Sequence, residues 1–160
     1  MNWSPYLVVI AVLLACGGTD APGEDVSGSP DGMTGHDMAS HSPVDTYVAG
    51  LEKSGVNGLV HVRLMESTPI PEYTDLYTWT VEVVDLDGEP ITGATVVAEP
   101  RMPGHGHGTF PPFTDAVEIG GGSYQLVDMD LFMPGVWQVT IRITTADGDD
   151  EVAYDFDLEG

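Results

Sequence analysis

Residues 135–145 read GVWQVTIRITT, and no other stretch constrains the architecture as tightly. Trp137, Val139, Ile141 and Ile143 take every second position. Gln138, Thr140, Arg142 and Thr144 take the positions between. Successive side chains of an extended chain point to opposite faces, so this alternation marks a strand with one buried face. A helix needs apolar residues every three or four positions, and the stretch has no such period.

The same period recurs on either side. In VNGLVHVRLMES, Val60, Val62 and Leu64 alternate with His61, Arg63 and Met65. LYTWTVEVVD sets Tyr77, Trp79, Val81 and Val83 on one face, and EVAYDFDLE sets Val152, Tyr154, Phe156 and Leu158 on one face. Turn signals separate the runs. Asp-Gly occurs in DLDGEP (Asp85 to Pro90) and in ADGDD (Ala146 to Asp150), each read as a hairpin turn, and GGGS at Gly120 to Ser123 is a third break. The acidic turns lack the twelve-residue spacing of a calcium loop. The pattern predicts about seven strands, at roughly 57–66, 76–85, 91–99, 113–119, 123–129, 136–145 and 151–158. That is an all-β chain, an immunoglobulin-like antiparallel β-sandwich. Trp79 and Trp137 are the expected centre of its core.

The first residues follow another logic. The apolar run Tyr6 to Ala15 is too short for a bilayer span and has the length of a signal-peptide core. Leu13-Leu14-Ala15-Cys16 resembles the lipobox of bacterial lipoprotein signal peptides. That resemblance implies removal of a signal peptide at 1–15, acylation of Cys16 and attachment to a membrane through the lipid. Residues 16–45 are rich in Gly, Ser, Pro and Asp, and so read as a flexible acidic tether. Residues 46–160 form the expected domain.

Composition removes several function classes. Cys16 is the single cysteine, so the chain has no internal disulfide, no CxxC pair and no thiolate for a blue-copper site. Four basic residues face 26 acidic ones, a formal net charge of −22, which repels nucleic acid. There is no GxSxG motif and no phosphate-binding glycine loop. No enzymatic activity is expected.

One kind of chemistry remains. Residues 101–112 read RMPGHGHGTFPP. His105 and His107 project to the same side of an extended chain, and Pro103-Gly104 allows a turn that brings Met102 back toward them. Met133 lies in a second Met-Pro-Gly run, with Met129 and His61 as further candidates. Imidazole and thioether donors without cysteine select copper before zinc. The tether carries a second Met/His group, Met33, His36, Met38 and His41. The opposing reading has Met102 and Met133 as core plugs under a flexible crossing.

VVDLDGEPITGATVVAEPRMPGHGHGT and GGGSYQLVDMDLFMPGVWQVTIRI resemble the YtkA-like domain family. The matching positions are Asp87, Gly88, Pro90, Gly93, Ala94, Met102, Pro103, Gly104, His105, Gly122, Tyr124, Met133, Pro134, Gly135 and Trp137. The resemblance implies an exported, often membrane-tethered immunoglobulin-like domain. It also implies kinship with accessory proteins of cation pumps and oxidase assembly. The expectation is a lipoprotein of the bacterial cell envelope, facing the periplasm or exterior, that binds copper as chaperone, scavenger or accessory factor. The alternative is a metal-free scaffolding or adhesion module of an envelope complex.

Overall fold

The structure is a computed structural model and describes residues 43–160. The signal peptide, Cys16 and the tether group Met33, His36, Met38 and His41 lie outside the described residues. Ten strands follow in chain order among the described residues. They are β1 (Leu51–Ser54), β2 (His61–Thr68), β3 (Asp75–Val84), β4 (Thr95–Met102), β5 (His107–Gly108), β6 (Thr114–Asp115), β7 (Val117–Gly120), β8 (Ser123–Leu131), β9 (Gly135–Thr145) and β10 (Gly148–Leu158). No described helix is long and apolar enough to cross a membrane.

The strands form two antiparallel sheets. The first has the order β1-β2-β3-β8-β7. The second has the order β10-β9-β4-β5, with β6 also paired to β4. Each alternating run puts its apolar set inward. Tyr77, Trp79, Val81 and Val83 from the first sheet are buried against Trp137, Val139, Ile141, Tyr154 and Phe156 from the second. The Trp79 ring meets Tyr154 and Phe156 edge-on, at 5.9 and 5.7 Å between centroids, a preferred aromatic geometry. The Tyr154 hydroxyl donates to the Val62 carbonyl at 2.8 Å, a direct tie between the sheets. Burial, followed by the charges of Asp45 and Glu52, raises the Tyr154 hydroxyl above the ordinary phenol range. Aromatic packing and this tie hold the sandwich where a related fold has a disulfide.

Three sequence expectations change. The strand expected over 113–119 is two short ones. Thr114–Asp115 pairs with β4 in the second sheet, and Val117–Gly120 pairs with β8 in the first. The chain changes sheets at Ala116, whose N–H donates to the Val96 carbonyl. β1 was not expected; it pairs with β2 through Leu51 to Ser54. DLDGEP is a turn, yet it joins no two neighbouring strands of one sheet. Gly88 has φ 87°, and the Asp85 carboxylate accepts from the N–H groups of Asp87 and Glu89. The chain then lies over Val84, makes a bridge from Val84 to Pro90, and crosses to the other sheet. The strand expected over 91–99 therefore starts at Thr95. Tyr124 holds the crossing: its hydroxyl donates to the Ile91 carbonyl and accepts from the Ala94 N–H.

The other two turns are hairpins. Gly121 and Gly122 have φ of 61° and 75° between the paired Gly120 and Ser123, as a two-residue primed turn requires. Thr145 and Gly148 close the β9–β10 hairpin.

Candidate functional site

β4 ends at Met102, and β5 begins five residues later at His107. Between them the chain makes a tight turn, in which the N–H groups of His105 and Gly106 both donate to the Met102 carbonyl. Gly106 takes φ 71°, a conformation that suits glycine. This closes Met102 and His107 into a directly opposed antiparallel pair. Opposed residues project from the same face, with Cβ atoms about 5 Å apart. His107 therefore shares a face with Met102, and that face is the core side.

The four expected ligands lie at one end of the sandwich but differ in environment. His105 is exposed and His107 half-buried. Their ring centroids are 5.7 Å apart. A metal–imidazole bond of about 2 Å puts an ion roughly 3.2 Å from each centroid, so two rings sharing an ion lie within about 6.4 Å. The histidine pair meets that limit. Met102 is 1% exposed and belongs to the core. Its Cε lies 3.1 Å from where a Gly135 side chain would begin. Met133 is partly buried against the core, and its carbonyl accepts from the Trp137 indole N–H at 2.8 Å.

Aromatic rings complete the surround. Phe132 stacks on His107, with centroids 6.2 Å apart and planes 21° apart. Trp137 meets His107 edge-on at 6.5 Å, and Phe132 meets Trp137 at 5.8 Å. Sequence reasoning missed Phe132. It precedes Met133-Pro134-Gly135, but its closeness to His107 comes from two loops meeting. Among the described residues the histidine pair has one ring hydrogen bond, from His107 Nδ1 to the Gly108 carbonyl at 3.4 Å. No group of three His, Cys, Asp or Glu is placed to hold a metal among them. Among the described residues the imidazoles of His105 and His107 are the donors whose rings are brought within reach of one ion.

The remaining candidates lie elsewhere. Met129 is 1% exposed and packs in the core beside Tyr77. His61 is at the opposite end of the sandwich, 3.0 Å from Ser54 Oγ. There the Asp150 carboxylate is already occupied. Asp150 is 4% exposed, and its carboxylate accepts from the N–H groups of Asn57, Leu59, Val60 and Glu151. Burial pushes this carboxyl up, and the four donors together outweigh burial and hold it below its ordinary value. The carboxylates of Asp85 and Asp150 serve backbone donors, as a structural turn demands. Each of the four basic residues meets a carboxylate, Lys53 with Asp45, Arg63 with Glu52 and Glu82, and Arg101 and Arg142 with Glu99.

A family model described as YtkA-like matches residues 59–142, which is 84 of the 160 residues. The matched span contains Met102, His105, His107 and Met133. No curated protein and no solved structure matches the chain.

Proposed function

The chain belongs to the YtkA-like family, and from that premise we propose that it is a lipid-anchored bacterial envelope protein that binds copper without turnover. His105 and His107 are the ligands, with the thioethers of Met102 and Met133 beside them. The observation that carries this reading is the 5.7 Å spacing of the two rings, set by the Met102–His107 pair. Imidazole serves both oxidation states of copper, and thioether sulfur favours the cuprous one. Met33, His36, Met38 and His41 collect or buffer the ion, and acylated Cys16 keeps the domain at a membrane. An envelope partner, such as a cation pump or an oxidase under assembly, receives the metal.

A second reading is favoured by Met102, whose sulfur is inside the core and whose methyl group packs against Gly135. In it the domain is metal-free and docks an envelope protein. An anaerobic Cu(I) competition titration of the full chain in detergent separates the two. Beside it run a His105→Ala/His107→Ala variant and one with Met33, His36, Met38 and His41 replaced by Ala. One equivalent bound at nanomolar affinity, lost in the first variant and kept in the second, is the expected result. Equal binding by wild type and the first variant rejects the loop as a copper site and leaves the metal-free domain.

A further inference from the structure

The two histidines of the loop are not equivalent. His105 is exposed on the turn, whereas His107 is half-buried. Phe132 lies near-parallel to its ring at 6.2 Å between centroids, and Trp137 approaches edge-on at 6.5 Å. Trp137 is itself fixed by its 0% exposure and by the hydrogen bond from its indole to the Met133 carbonyl. Stacked and edge-on contacts at these separations hold a ring in one orientation. The Gly108 carbonyl faces Nδ1, so in the tautomer that donates there, Nε2 carries the free lone pair. His107 is the oriented donor of the pair.

Aromatic rings beside an imidazole bear on the water that reaches it. Cu(II) prefers tetragonal coordination by nitrogen and oxygen, which needs additional ligands that water supplies at an open site. Cu(I) accepts few ligands and tolerates an apolar surround. An apolar shell around a metal site sets its solvent access and its redox preference. Phe132 is 49% exposed, so it is not part of the folded core in the way Trp137 is. The Phe132 ring lies beside both the imidazole of His107 and the indole of Trp137.

We infer that Phe132, backed by Trp137, is a specificity-determining residue: it orients His107 and excludes water from it, so that the site takes Cu(I) in preference to Cu(II). The inference rests on the copper reading above and adds which residue sets the oxidation state.

The test uses the full chain in detergent and titrates Cu(I) anaerobically and Cu(II) aerobically, each against a calibrated chelator. Wild type, Phe132→Ala, Phe132→Tyr and His105→Ala/His107→Ala are compared, with thermal unfolding and Trp emission followed throughout. Phe132→Ala is expected to weaken Cu(I) binding about tenfold while Cu(II) binding holds or strengthens. Phe132→Tyr keeps the ring and is expected to restore the wild-type ratio. An unchanged Cu(I)/Cu(II) ratio in a folded Phe132→Ala protein, with copper still bound through the histidines, overturns this inference alone. Equal loss of both ions also overturns it, since that is what loosening the loop would do. Copper binding in wild type no different from the double-histidine variant overturns both this inference and the copper reading.

Discussion

The β9–β10 ribbon runs between two polar clusters, one near each end. Ile143 pairs with Asp150 at one, and Trp137 pairs with Phe156 at the other. They are six positions apart along each strand, about 20 Å. At the Asp150 end a single carboxylate accepts from four backbone N–H groups and ties the chain from Asn57 to Val60 onto the ribbon. At the Trp137 end two imidazoles stand 5.7 Å apart with one long hydrogen bond to the backbone between them. A buried polar group with all its partners in place is a structural device, because removing one partner leaves donors unsatisfied in a low dielectric. Polar groups held in position with lone pairs to spare are available for a ligand. The Asp150 carboxylate thus does backbone work, while His105 and His107 keep ring nitrogens to spare among the described residues.

Substitutions break or sharpen this contrast in a definite order. The largest effect is expected from Trp137→Ala. It empties a fully buried indole site and is expected to cost about 4 kcal/mol in urea unfolding. A loss under about 1 kcal/mol would mean that the histidine end is not built on the core. Asp150→Ala comes next, at about 3 kcal/mol, since it strands the buried Val60 N–H and its neighbours. Its pH dependence has a definite sign. The folded-state carboxyl lies below the ordinary value of 3.8, so the charged form is the stabilising one. The contribution is full above that pH and is lost as pH falls through the folded value. The gap between wild type and Asp150→Asn should therefore narrow below about pH 4.

Gly55→Ala is expected to cost about 2 kcal/mol. A Cβ there would sit 2.0 Å from Asp150 Oδ2 and drive the carboxylate off its donors. In the Asp150→Ala background the same change should be nearly neutral, a coupling that a double-mutant cycle reads directly. The smallest effect belongs to the histidines. His105→Ala/His107→Ala should stay within about 1 kcal/mol of wild type in the absence of metal, because neither ring completes a structural network. A large loss there would place the histidines among the structural residues and erase the contrast.

The strands were legible because their signal is local. Each inward set read from alternation is buried, from Val60, Val62 and Leu64 to Val152, Tyr154, Phe156 and Leu158. The same local reading failed at Ala116, where one extended run serves two sheets, and at Asp85 to Pro90, where a turn precedes a crossing. A turn sequence states that the chain reverses, and it carries nothing about which strand lies next to it. The candidate site was legible in part. Spacing singled out His105 and His107 as ligands with Met102 and Met133, against an opposing reading of the two methionines as core plugs. The opposed Met102–His107 pair puts them on one face, and burial gives Met102 a core duty as well.

Period, composition and turn chemistry sufficed for the all-β sandwich and its two inward faces, because each depends on residues a few positions apart. Phe132 over His107 and Asp150 beneath Asn57 needed the folded chain. Those partners are 25 and 93 residues apart, and nothing in a local pattern specifies which loops meet. Packing two twisted sheets face to face brings such loops together, and it left the carboxylate enclosed at one end and the histidines free at the other.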